Sequence, residues 1–177
     1  MLAALLYFAT ELALLALARR FVLPFSHVAA VVLLLLPLTF TGRALLTGRI
    51  MAPVDIQYLS APFPPRTPYD AEMLDVATQM VPWRAALRES VGRGEWPMIN
   101  QHTLCGDVLA GAAQPAVWSP FTWIALLMEP AISFNFTGTI AFFLAALGAF
   151  LFARDHGSGE VASLFGAVAF AFNGPLA

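Results

Sequence analysis

The sequence predicts an all-α integral membrane protein with about four transmembrane helices and one large polar loop carrying interfacial helices. Three observations lead there. Hydrophobic residues make up 59% of the 177 residues and charged residues 11%, with a mean hydropathy of +0.75, far from the composition of soluble domains. Apolar runs long enough for membrane helices lie towards both ends. Between them stands a stretch rich in Pro, Gly, Arg, Asp and Glu that holds most of the charges. The expected organisation is 1–40, two transmembrane helices; 41–130, the loop; and 131–177, a transmembrane helix pair, the chain being the N-terminal part of a longer membrane protein.

The first run, 2–18, is interrupted by Thr10 and Glu11 and ends at Arg19-Arg20. It is just long enough to span. Arginines after the apolar core, not before it, favour a retained helix over a cleaved signal peptide, although "ALA" at 16–18 resembles a cleavage site. Glu11 is costly in lipid, and a partner elsewhere in a larger bundle is expected for it. The second run, 21–40, has Pro24 and Pro37 near its ends, where prolines disturb few backbone bonds. The runs 131–153 and 161–172 follow the loop, the last being short for a complete span.

Several classes are excluded or disfavoured by composition. The net charge is −2 and all nine basic residues are Arg, with no basic stripe to follow a phosphate backbone, so nucleic acid is not an expected partner. The single cysteine, Cys105, forms no internal disulfide, and no Cys/His cluster has zinc spacing. The sequence calls for no metal or other cofactor.

In the loop, a proline-broken entry leads into a helix expected over 71–91, with Asp70 as N-cap and Glu72 in the first turn. Asp75, Gln79 and Pro82 are spaced four and three apart and share one face. Pro82 should kink the helix or end its first half. "GRGEWP" reads as a turn and "MINQHTLCGD" as irregular. "WSPFTWIALLME" reads as an amphipathic piece whose Trp118 and Trp123 suit headgroup depth.

The order "D...Q..P", then "GEWPMINQHTLCGD", then "AQPAVWSPFTWIALL", resembles the YfhO-like bacterial membrane proteins from about residue 31 onward. The matching positions are Asp75, Gln79, Pro82, Gly94, Pro97, Asn100, Gly106, Gln114 and Pro120. One position departs: the Trp that often precedes the Asn in that family is Ile99, with Trp96 displaced toward the turn. The family is grouped with GT-C glycosyltransferases. The resemblance implies a multi-pass protein of the bacterial cytoplasmic membrane with the loop extracytoplasmic. It implies a polyprenyl-phosphate sugar donor, membrane lipid and the remaining C-terminal helices as partners, and Asp75 as catalytic base. Arginine placement agrees only in part, since Arg19, Arg20 and Arg154 favour this orientation while Arg43 and Arg49 oppose it.

The chemistry fits these residue types. An inverting transfer needs one carboxylate to take the acceptor's proton; the leaving phosphate needs positive charge, which Arg84, Arg88 or Arg93 would supply. Gln79, Asn100 and Gln114 would hold sugar. Each also has a plainer role open to it: Asp75 as an early-turn residue favoured by the helix dipole, the arginines as solvated surface groups, and Gln79 and Asn100 as local backbone caps. Asp55 is the rival base, with a turn residue as its plain role. Asp107 after Gly106 reads as a loop-turn residue, with contact to substrate or metal as its alternative. His102 is expected to be a hydrogen-bonded loop residue, not a ligand. A non-catalytic module that binds a lipid carrier or an assembly partner, and a transporter fragment, are the other function classes; the second would show matching interrupted helices in two halves.

Overall fold

The computed structural model describes residues 1–51, 62 and 74–173. The protein is mostly helical, at 69%, and falls into two compact units. One comprises Met1–Arg49 with Asn135–Ala177, and the other Ile50–Phe134. Asp55, Asp70 and Glu72 lie outside the described residues.

The first unit is built from long apolar helices. Helix α1 (Leu2–Phe21) has 20 residues, about 30 Å at 1.5 Å per residue, and α6 (Pro130–Asp155, whose last 21 residues fall in this unit) has 26. Both are long and apolar enough to cross a membrane. Helices α2 (His27–Leu35) and α3 (Leu38–Thr47) form a third candidate span bent by 63°. Helix α7 (Glu160–Ala171), with 12 residues, is too short to cross alone.

The bend differs from what the sequence predicts. Pro37 does lie at a helix boundary, between the end of α2 at Leu35 and the start of α3 at Leu38, but the apolar segment does not stop there, since α3 carries the chain on to Thr47. The proline lacks an N–H, so the Leu33 carbonyl loses its helical donor. The next carbonyl, that of Leu34, is instead satisfied by the Tyr7 hydroxyl at 2.8 Å. The segment after the bend reads as polar because of its threonines, yet Thr39, Thr41 and Thr47 donate back to the carbonyls of Leu36, Pro37 and Arg43. Self-satisfied in this way, they fit a helix in an apolar setting.

Packing holds this unit together. Leu15, Phe25, Leu33, Phe143, Phe150 and Ala167 are core residues, and Phe25 meets Phe150 edge to face at 5.4 Å. Several buried polar groups are paired within this unit. Asn135 on α6 donates to the carbonyl of Arg49 at 2.6 Å and of Ala44 at 3.2 Å, and the Thr139 and Thr41 hydroxyls lie 2.8 Å apart. Ser26 caps α2 by accepting from the Ala29 N–H, while its own N–H and hydroxyl donate to the Glu160 carboxylate at the start of α7. Small polar residues bonding across helices are what packing in lipid favours.

The second unit is short-segmented. A π-helical turn (Val76–Met80) runs into α4 (Val81–Gly92). Then come β1 (Ile99–Asn100) and β2 (Asp107–Val108), a two-stranded antiparallel hairpin pairing Ile99 with Val108 and Asn100 with Asp107. A 3₁₀ turn (Ala110–Ala112), α5 (Pro120–Ala125) and the first turn of α6 complete it. Its small core is Ala86, Leu87, Leu109, Ala110 and Val117. The hairpin stands where the sequence predicts irregular chain, because two-residue strands are too short to show an alternating pattern.

Candidate functional site

Pro82 explains the local geometry around Asp75. Without an N–H it cannot complete a regular α-turn, and the helix adjusts one step earlier: the Val81 N–H reaches back to the Val76 carbonyl, five residues away. The expected kink is thus absorbed as a π-turn, with Pro82 in the first turn of α4. Single π-turns occur often at functional sites. Asp75 immediately precedes this one and Gln79 lies within it; both are exposed. Gln79 Nε2 donates to Asp75 Oδ1 at 2.9 Å. The bond fixes one carboxylate oxygen, leaving the other able to accept a proton.

The remaining sequence-predicted residues are more engaged with the protein itself. Arg84 is 6% exposed. Its guanidinium lies 4.7 Å from the centre of the Phe134 ring, and its Nη1 donates to Ser133 Oγ at 3.3 Å. Burial lowers its pKa to about 10, so it remains cationic at neutral pH. Arg88 is partly exposed and paired with Glu129 at 3.1 Å. Asn100 is buried and engaged at both ends of its amide: Nδ2 donates to Thr103 Oγ1 and Oδ1 accepts the His102 N–H. Its observed contacts are those of a local brace. Gln114 is exposed, between Ala113 and Ala116, which both have positive φ without being glycine. Such positions carry about 1–3 kcal/mol of strain each. Among the described residues, no hydrogen bond or ion pair joins Asp75 and Gln79 to Arg84, Arg88, Asn100 or Gln114.

Two features of this unit were not visible in sequence. Glu89 gathers His102 Nε2 at 2.8 Å and Arg93 into one cluster, with Arg93 also bonded to Glu95 at 3.0 Å. Glu89 and His102 come from α4 and the hairpin loop, so no local spacing announces the pair. Trp96 stacks on Trp123 at 5.5 Å and meets Trp118 at 5.8 Å. The indole N–H groups of Trp118 and Trp123 are tied to the carbonyls of Ala110 and Val117, which fixes the rings in place.

The Glu89 cluster gives the hairpin a pH dependence. The hydrogen bond from His102, and then the His102 and Arg93 charges, hold the Glu89 carboxyl below its ordinary value of 4.5. A folded value below the unfolded one stabilises the fold above the ordinary value, and that contribution disappears as pH falls through the folded value. The protection of the amides of residues 101–106 against hydrogen exchange, relative to the intrinsic rate at each pH, is therefore expected to fall on acidification below the ordinary carboxylate range. Glu89→Gln should remove this acid dependence; an identical acid profile in the variant would exclude the carboxylate as its source.

Comparison with protein-family models, curated proteins and solved structures finds no match. The functional assignment of the polar unit accordingly rests on its own geometry. An apolar groove of about 580 Å³ in the helical unit, lined by Leu144, Phe152 and Phe170 among others, offers no polar side chain for a sugar or phosphate. The Asp75–Gln79 pair is the better candidate for chemistry.

Proposed function

We propose that the chain is the N-terminal part of a polytopic glycosyltransferase of the bacterial cytoplasmic membrane. It would transfer a sugar from a polyprenyl-phosphate carrier to an extracytoplasmic hydroxyl acceptor of the cell envelope. The helical unit would lie in the membrane with about four apolar segments embedded, and the polar unit outside it. Asp75 accepts the proton of the acceptor hydroxyl as its oxygen attacks the anomeric carbon. The bond from that carbon to the phosphate oxygen breaks, and the phosphate departs with the electron pair. The sugar carbon inverts in this single displacement, so one carboxylate suffices.

The observation that carries this proposal is the exposed Asp75 carboxylate with one oxygen held by Gln79 at 2.9 Å. A carboxylate with one oxygen restrained by an amide gains orientation and leaves its other oxygen to the acceptor hydroxyl. Arg88 is the cation in this proposal that could turn to a phosphate, since its pairing with Glu129 is partly exposed and exposed pairs are worth little. The lipid carrier would be enclosed by further helices of the full-length protein. The test is transfer of label from polyprenyl-phosphate sugars to the envelope fraction by membranes carrying the full-length protein, with Asp75→Asn at equal abundance beside wild type.

A second proposal is a non-catalytic module that binds a lipid carrier or an assembly partner. The engagement of Arg84 by Ser133 and of both ends of Asn100 favours it, because groups already satisfied have less to offer a transition state. It expects Asp75→Asn to leave biological activity unchanged.

A further inference from the structure

Glu11 is a buried acid that the transfer chemistry does not use. It lies in the middle of α1, a candidate span, and is 0% exposed. Neither of its carboxylate oxygens has a hydrogen-bond partner among the described residues. An ionised carboxylate there would be an uncompensated charge in a low-dielectric interior, the arrangement proteins avoid by neutralising the group.

The neighbouring helices offer no counter-charge. Helices α2 and α3 pack on α1, and their titratable groups are His27 and Arg43. His27 stands at the N-terminus of α2, where its Nδ1 accepts from Arg19 Nη1 at 2.9 Å, and Arg43 is exposed on α3. Arg19 and Arg20 lie in the last turn of α1, about two helical turns beyond Glu11. Helix α6 contributes Phe143 and Phe150 to the core cluster that also holds Leu15 and Ala18 of α1, and its charged groups, Arg154 and Asp155, are confined to its last turn. Glu160 of α7 is taken by Ser26.

The polar side chain one turn before Glu11 indicates which form the carboxyl takes. Tyr7 donates its hydroxyl proton to the Leu34 carbonyl at 2.8 Å, and a carbonyl can only accept, so that proton is committed. What the Tyr7 oxygen retains is lone pairs, and residues four apart share one face of a helix. A carboxylate would oppose lone pairs to lone pairs. A protonated carboxyl has the O–H that complements them.

We propose that Glu11 is a proton-binding site inside the helical unit, its carboxyl carrying the proton in the state described. A single carboxylate falls far short of the roughly six to eight oxygens that calcium takes or the octahedron that magnesium demands, whereas a proton needs only the one group. Loss of the proton would make Glu11 a stronger acceptor than the Leu34 carbonyl for the Tyr7 hydroxyl. Proton occupancy is thereby linked to the bond that satisfies the backbone at the α2–α3 bend. This site is independent of the transferase proposal, and its test uses no sugar donor.

The experiment is infrared spectroscopy of the whole chain reconstituted in lipid vesicles at neutral pH, with glutamate isotope-labelled at the side-chain carboxyl carbon. Glu89, Glu95, Glu129 and Glu160 accept from Arg, His or Ser donors, so Glu11→Gln is the variant that assigns the band. The expected result is a carboxylic-acid carbonyl band that moves with the glutamate label and with deuterium exchange, and that is lost in Glu11→Gln. Absence of any glutamate-dependent acid band in the wild type overturns the proposal, as does an undiminished band in Glu11→Gln. Should Glu11→Gln fail to accumulate, Glu11→Asp decides instead: the acid band should then lose its dependence on labelled glutamate and gain dependence on labelled aspartate, and a band still following glutamate overturns the proposal.

Discussion

Asp75→Asn in the full-length protein is expected to lower sugar transfer by about 10²- to 10⁴-fold, the usual contribution of a positioned general base. The substitution is nearly isosteric, and an amide oxygen can still accept from Gln79, so the π-turn should persist and protein abundance should not change. What disappears is the ability to hold the acceptor's proton. Gln79→Ala makes an instructive partner. It leaves the base in place and removes one hydrogen bond to a carboxylate, worth about 1.5 kcal/mol at an exposed position, so transfer should fall only about tenfold. Radiolabel transfer at matched abundance measures both. Equal transfer by wild type and Asp75→Asn would remove Asp75 as the base and move attention to Asp55.

Leu87→Ala is expected to destabilise the polar unit by about 2–5 kcal/mol, the range for removing a buried leucine and leaving a cavity. Leu87 is 0% exposed and belongs to a core of five buried residues, with Trp83, Val91 and Leu126 packed around it. Ala86, Ala110 and Val117 have little bulk with which to close the gap, which places the expected effect in the upper half of the range. The four tryptophans of the chain, Trp83, Trp96, Trp118 and Trp123, all lie in this unit, so tryptophan fluorescence follows its unfolding selectively. The fluorescence midpoint in denaturant should fall, while the far-ultraviolet helical signal, dominated by the other unit, should change little. An unshifted midpoint would mean that the five residues are not the core that holds α4.

The difference between what sequence revealed and what it hid follows the range of the interactions. Helices α1 and α6 were legible because a run of about 20 apolar residues has few alternatives in a chain of this composition. The Asp75–Gln79 contact was legible because an i, i+4 spacing places both side chains on one face whatever the rest of the fold does. The continuation of the second span past Pro37 was not, since Thr41 and Arg43 look like an exit from the membrane until the hydroxyls are seen bonding back to carbonyls. Glu11 was expected to seek a partner elsewhere in a larger bundle; instead it is enclosed within its own unit. For Asn100 the sequence leaves two roles open, a sugar ligand by its place in the motif and a local backbone cap by its residue type. Only its contacts with Thr103 and the His102 N–H reveal how much of its amide the hairpin loop already uses. The Glu89–His102 pair depends on the hairpin bringing its loop to α4, and sequence spacing carries no trace of that.

The proposed topology has the polar unit on the extracytoplasmic side, and the chain carries its own reporter for it. Cys105 is the single cysteine and is exposed in the hairpin loop. A membrane-impermeant maleimide applied to spheroplasts, where the outer face of the cytoplasmic membrane is accessible, is predicted to label the protein, and Cys105→Ala to abolish that label. Labelling that appears only after the membrane is permeabilised would put the polar unit in the cytoplasm and contradict the account.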